Sequence, residues 1–113
     1  MKYLLLIYHD EQAFLALSEE QRQSMYKEYR QFREEIVATG NFIAGSQLNP
    51  TATAKSVRVR NGKPLTIDGP FAETKEQLGG YFLVETETTE QALRLASRIP
   101  SAKTGTVEVR ALT

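Results

Sequence analysis

"KYLLLIY", Lys2–Tyr8, is the stretch that decides the fold. Alternation along a strand sets Tyr3, Leu5 and Ile7 against Leu4, Leu6 and Tyr8, and both faces are apolar. Such a strand requires cover on two sides. Gly80–Glu85 repeats the pattern, with Tyr81 and Leu83 opposed to Phe82 and Val84. Two strands of this kind predict a sheet whose second face is covered by something other than the chain's own helices.

Between and beyond these strands the periodicity changes. Ser18 with Gln21 three residues on is a capping-box signature, and Met25, Tyr29, Phe32 and Ile36 recur at helical spacing. Gly40 is a left-handed terminator, which ends this helix near Thr39. Asn41–Leu48 resumes as a strand, followed by the turn-rich "NPTATA". Thr88 with Gln91 signals a second capping box, Ala92, Leu95, Ala96 and Ile99 form an apolar stripe, and Pro100 stops the helix. Thr106–Ala111 closes as an alternating strand with Val107 and Val109 inward.

Ser56–Arg60 and Lys63–Ile67 flank Asn61-Gly62, a hairpin signal. If Val57, Val59, Leu65 and Ile67 are to share a face, the loop must be odd in length, with Gly62 left-handed beside a bulge. Pro64 cannot donate to a ladder, so the hairpin is expected at a sheet edge. The full order predicts one α+β domain over residues 1–113. Its architecture is a ferredoxin-like antiparallel sheet with two helices on one face, and a second copy packs on the other face to make a homodimer.

Composition narrows the function classes. Lys+Arg and Asp+Glu are equal at 14 each in 113 residues, so no net field favours nucleic acid or an anionic membrane. No basic stripe carries interleaved aromatics, which argues against a nucleic-acid partner. The absence of cysteine excludes thiol chemistry and disulfides and is compatible with a reducing cytoplasm. The apolar run at the start is too short for a signal peptide or a bilayer span, so a soluble cytoplasmic protein is expected. No His/Asp/Glu set has metal-ligand spacing, and Gly79-Gly80 precedes a strand, unlike a phosphate-binding loop, so neither a metal nor another cofactor is expected.

"TIDGPFAETKEQLGGYF", Thr66–Phe82, joins the hairpin to the second two-faced strand. Asp68 is suited to accept from backbone amides two or three residues on, Pro70 fixes one dihedral, and Phe71 is expected to plug the turn into the body. Thr74–Leu78 reads as a single helical turn. Asp68, Glu73 and Lys75 remain as charged residues without an obvious folding duty.

The chain resembles the YCII-related proteins, in their DGPF-motif branch. The resemblance rests on "MKYLLLIY", "TGNFIAGSQLNP", "VRVRNGKPL", "DGPFAETKEQLGGYFLVE" and "EQALRLASRIPSAKTGTVEVR", and so runs along nearly the whole chain. It implies a ferredoxin-like fold assembled as a dimeric α/β barrel. The wider superfamily has a proposed His–Asp acid/base pair whose histidine lies in the first-helix region. Here that region reads "QRQSMYKEYRQF" without histidine, so only Asp68 transfers, as a motif residue. Some relatives lie beside genes for alternative sigma factors.

The candidates are therefore Asp68 and His9 as catalytic groups, with Glu73, Lys75, Arg58 and Tyr81 lining a small-molecule cleft. Each has a plainer reading. Asp68 can be a turn-former, His9 a loop cap at a strand end, Glu73 and Lys75 a solvated loop edge, Arg58 a charged guard on a sheet face, and Tyr81 a core or dimer residue. His9 is the chain's one histidine, and imidazole is the side chain whose intrinsic pKa, about 6.5, lies nearest neutrality. The expected site is a cleft between the sheet, the first helix and the Asp68–Lys75 loop, holding a planar or carboxylated metabolite. Cofactor-free proton transfer of an isomerase or lyase type is one expectation. The alternative is a non-catalytic dimeric binding or regulatory module linked to sigma-factor systems.

Overall fold

The computed structural model describes all residues, 1–113. Eleven elements follow one another. They are β1 (Lys2–His9), α1 (Glu11–Leu15), α2 (Glu19–Ala38), β2 (Phe42–Gln47), a 3₁₀ turn (Thr51–Thr53), β3 (Lys55–Arg60), β4 (Lys63–Asp68), β5 (Gln77–Glu85), α3 (Thr89–Ser97), a second 3₁₀ turn (Pro100–Lys103) and β6 (Thr106–Ala111). The fold is α+β. A four-stranded antiparallel sheet runs β2-β5-β1-β6, the ferredoxin-like order, and β3 and β4 form a separate two-stranded sheet. Neither sheet closes into a barrel within the chain.

The two-faced strands lie side by side at the centre, Leu5 opposite Phe82 and Tyr3 opposite Val84. Tyr3, Leu5, Ile7, Phe82 and Val84 are buried beneath Phe32 and Ile36 of α2 and Ala92, Leu95 and Ala96 of α3. This single cluster is the core. The opposite face, with Leu4, Leu6, Tyr81 and Leu83, is only half-buried. No element of the chain spans it.

Local chemistry accounts for the helix ends. The Ser18 hydroxyl accepts from Gln21 N–H at 3.1 Å while Gln21 Oε1 accepts from Ser18 N–H at 2.9 Å, a complete capping box. Gly40 takes φ 79°, and Asn41 N–H reaches the Ile36 carbonyl at 2.9 Å, so the end of α2 is closed by a left-handed residue as expected. The second box forms only in part. Thr88 Oγ1 accepts from Gln91 N–H, but Gln91 Oε1 reaches Glu87 N–H instead of the cap's own amide.

The hairpin departs from expectation. Arg60 pairs with Lys63 across a two-residue turn in which Asn61 (φ 53°) and Gly62 (φ 73°) are both left-handed, the geometry Asn-Gly favours. An odd-length bulged loop was expected only because a common apolar face was assumed. That constraint is void, since the hairpin buries neither face: Val57, Val59, Leu65 and Ile67 are all about half or more exposed. It is also not an edge of the main sheet but an arm. The radius of gyration of 15.9 Å exceeds the roughly 13 Å of a compact chain this long, which the arm explains.

Three further expectations fail on the segment after the arm. Asp68 belongs to β4 and pairs across the ladder with Lys55, whose ammonium it binds at 2.6 Å. It accepts from no backbone amide because the chain is still extended there, and Gly69 N–H goes to the Ala54 carbonyl. Phe71 is 80% exposed and plugs nothing. Thr74–Leu78 holds no helical turn: Gln77 Nε2 takes the Thr74 carbonyl, and β5 begins at Gln77, earlier than Gly80.

These placements separate core from surface energetically. Ile36→Ala, at a site 1% exposed, is expected to lower unfolding free energy by about 2–5 kcal/mol in urea titration. Asp68→Asn, removing an exposed ion pair, is expected to cost no more than about 1 kcal/mol.

Candidate functional site

A cavity of about 440 Å³ lies between the middle of α2, from Met25 to Arg33, and the ends of β1, β2 and β5. Its cause is a mismatch of side-chain size. Toward its C-terminal half α2 meets the sheet with Phe32 and Ile36, and the gap closes. Near Tyr26 and Tyr29 the sheet offers Gly45, Gly79 and Gly80, and the Phe82 and His9 rings that lie against Gly45 and Gly79 leave the remaining space open.

The glycines also define the floor. Pairing slips by one residue between Ile7 opposite Gly80 and Tyr8 opposite Leu78, leaving Gly79 as the extra residue of a β-bulge. A Cβ on Gly79 would stand 2.5 Å from His9 Nε2, and one on Gly45 would stand 2.7 Å from the Phe82 ring. The imidazole of His9 therefore lies directly on the Gly79 backbone. Its other neighbour is Phe14, with ring centroids 5.2 Å apart.

Phe14 is held there by the short helix α1. Asp10 caps it, accepting from Gln12 and Ala13 amides at 3.0 and 3.2 Å. The Glu11 carboxylate takes Thr51 N–H at 2.8 Å and its hydroxyl at 2.7 Å, while Glu11 N–H donates to Gln77 Oε1 at 3.0 Å. These bonds tie α1 to the turn after β2 and to the start of β5. Phe14 then meets Tyr26 edge-on at 6.3 Å, completing one aromatic wall.

Tyr29 forms the other wall, its ring stacked 6.5 Å from Phe82 at an interplanar angle of 18°. Its hydroxyl lies 2.5 Å from Ser101 Oγ. Burial pushes the Tyr29 phenol above its ordinary value, and the Ser101 hydrogen bonds offset this only in part. Tyr29 is thus a neutral phenol at physiological pH. Arg30 and Arg33 stand at the mouth, and the Arg33 guanidinium lies 4.7 Å over the Phe42 ring.

Of the residues singled out from sequence, His9 lines this cavity, half-buried rather than exposed at a strand end. Tyr81 borders it through β5, although its register places the side chain beside Leu6 and Ser46, toward the opposite face. Asp68, Arg58, Glu73 and Lys75 are exposed and lie outside the cavity, on the arm and the segment following it. His9 and Asp68 of one chain do not share a cleft. Tyr26, Tyr29, Arg30 and Arg33 fall at i, i+3, i+4 and i+7 of α2, so helical periodicity marked the wall and mouth. Sequence reasoning followed only the apolar stripe and passed over the arginines beside it. No group of three or more His, Asp or Glu side chains converges to hold a metal ion.

The YCII-related domain matches residues 1–113. An uncharacterised protein of Rhizobium meliloti (strain 1021) is 35% identical over 114 residues, covering 99% of this chain and 92% of that protein. The chain belongs to the YCII-related family.

The contact between His9 and Gly79 gives a test of the site's geometry. Gly79→Ala is expected to cost about 1–3 kcal/mol and to turn the imidazole away from the strand, shifting the His9 ring resonances and weakening Phe14 contacts in NMR. Unchanged His9 resonances in a folded variant would contradict the placement.

Proposed function

We propose that the cavity under α2 binds a small metabolite and that His9 moves a proton on it without a cofactor, in an isomerase- or lyase-like reaction. The observation that carries this reading is the seating of His9. Its ring is fixed between Phe14 and the Gly79 backbone at the wall of a cavity, where a bound molecule would meet it. Tyr29 supplies a neutral hydroxyl nearby. Asp68, Glu73, Lys75 and Arg58 of the same chain have no role in this reading.

A specific observation also favours a non-catalytic binding or regulatory module. No carboxylate lines the cavity, so nothing in one subunit orients the imidazole as an acid/base pair would. The resemblance to the DGPF branch, with its sigma-factor gene neighbourhoods, gives such a module a regulatory setting.

Either protein would act as a cytoplasmic homodimer, with the open sheet face of one copy on that of another in a dimeric α/β barrel. Leu4, Leu6 and Leu83 on that face are only half-buried, and the arm exposes Val57, Val59, Leu65 and Ile67. A two-stranded hairpin alone is marginal in water, so the arm gains from a partner. No helix of the chain is long and apolar enough to cross a membrane.

Binding and turnover are separable by experiment. A metabolite library screened by thermal shift should give at least one stabilising compound. In D₂O that compound should exchange a carbon-bound proton with wild type and not with His9→Gln. Binding without exchange selects the module, and a library without any stabilising compound refutes both readings.

The assembly has its own test. Light scattering is expected to give twice the chain mass at micromolar concentration, and Leu6→Glu is expected to give the single-chain mass or aggregate. A wild-type monomer would refute the dimer.

A further inference from the structure

We infer that the ligand of this cavity is a planar carboxylate. Its anionic group is held by Arg30 and Arg33, and its ring lies among Tyr26, Tyr29 and Phe82 with an edge toward His9. The inference rests on the small-molecule reading and adds to it the chemical class of the ligand.

Charge is the first observation. The cavity lining contains Arg30, Arg33 and His9 but no aspartate or glutamate. Neither arginine is neutralised elsewhere, since the chain's ion pairs are Met1 with Glu85, Lys55 with Asp68, and Arg98 with Glu35. Glu34 lies four residues beyond Arg30 on the helix, yet the two form no ion pair. Two unpaired guanidinium groups three residues apart on one helix face converge on the same mouth. A cationic ligand would meet repulsion there.

The second observation is the presentation of Arg33. Its guanidinium lies 4.7 Å over the Phe42 ring, and no carboxylate of the chain takes its N–H donors, whose fork geometry suits an incoming carboxylate. Shape is the third. The walls are the rings of Phe14, Tyr26, Tyr29 and Phe82, and the His9 ring, seated on the Gly79 backbone, borders the same space. A space bounded by flat π-surfaces selects a flat body. A volume near 440 Å³ is at the small end of ligand sites, about 300–1,000 Å³, which suits a one- or two-ring acid better than a nucleotide.

The test uses the full chain and four probes sharing one ring: 4-hydroxybenzoate, 4-hydroxybenzamide, 4-hydroxybenzylamine and phenyl phosphate. Binding is followed by the His9 ring resonances. The carboxylate is expected to bind at least about tenfold more tightly than the amide, with the amine weakest. Arg30→Gln and Arg33→Gln should each remove about tenfold of that preference, whereas Lys27→Gln, outside the cavity lining on the same helix, should not. Equal binding of acid and amide, or an unaltered preference in the double arginine variant, overturns the anion assignment while the small-molecule reading stands. Tighter binding of phenyl phosphate overturns the carboxylate in favour of a phosphate. No shift at His9 with any probe overturns the inference.

Discussion

The antiparallel pairing of β1 with β5, interrupted by the bulge at Gly79, is the constraint on which the rest of the structure depends. Up to Ile7 the ladder is regular and places Tyr3, Leu5, Ile7, Phe82 and Val84 in one buried layer beneath both helices. One extra residue then changes what lies opposite what. Leu78 pairs with Tyr8, Gln77 pairs with His9, and Gly79 is left against the imidazole. Gln77 is thereby placed to accept from Glu11 N–H, which helps hold Phe14 over His9. Core, cavity floor and the aromatic cover follow from one register.

A cavity this close to a core persists because its lining cannot collapse. Tyr29 above it is fixed at its far end by Ser101, Tyr26 packs edge-on against Phe14, and the glycines below have no side chains to raise. Filling the gap with larger residues would be the ordinary way to stabilise a small α+β chain. Retaining the gap beside a histidine and two arginines is the pattern of a site, where packing is given up for access.

Much of this was legible in the sequence where one period dominates. The two-faced strands, the capping box at Ser18 and the Gly40 terminator each rest on a local rule that tertiary structure had no cause to override. The arm was misread because burial was assumed for Val57, Val59, Leu65 and Ile67; once neither face is covered, Asn61-Gly62 is free to take its preferred two-residue turn. Asp68 drew attention through the rigidity of Asp-Gly-Pro-Phe, yet β4 extends through it and its carboxylate is committed to Lys55. His9 was singled out as a candidate catalytic group of a cleft, but its seat on the Gly79 backbone was not legible, because a bulge at Gly79 has no sequence signal beyond a pair of glycines. The α1 cover depends on Glu11 meeting Thr51 across 40 residues, a contact no local pattern encodes.

The central claim is that the Gly79 bulge opens a ligand cavity against His9. Crystals soaked with a mixture of small flat fragments test it most directly. The account predicts fragment density under α2, among Tyr26, Tyr29 and Phe82 and in contact with the His9 ring. A cavity closed by the side chains of Tyr26 and Tyr29, or fragments found only elsewhere on the surface, would contradict it.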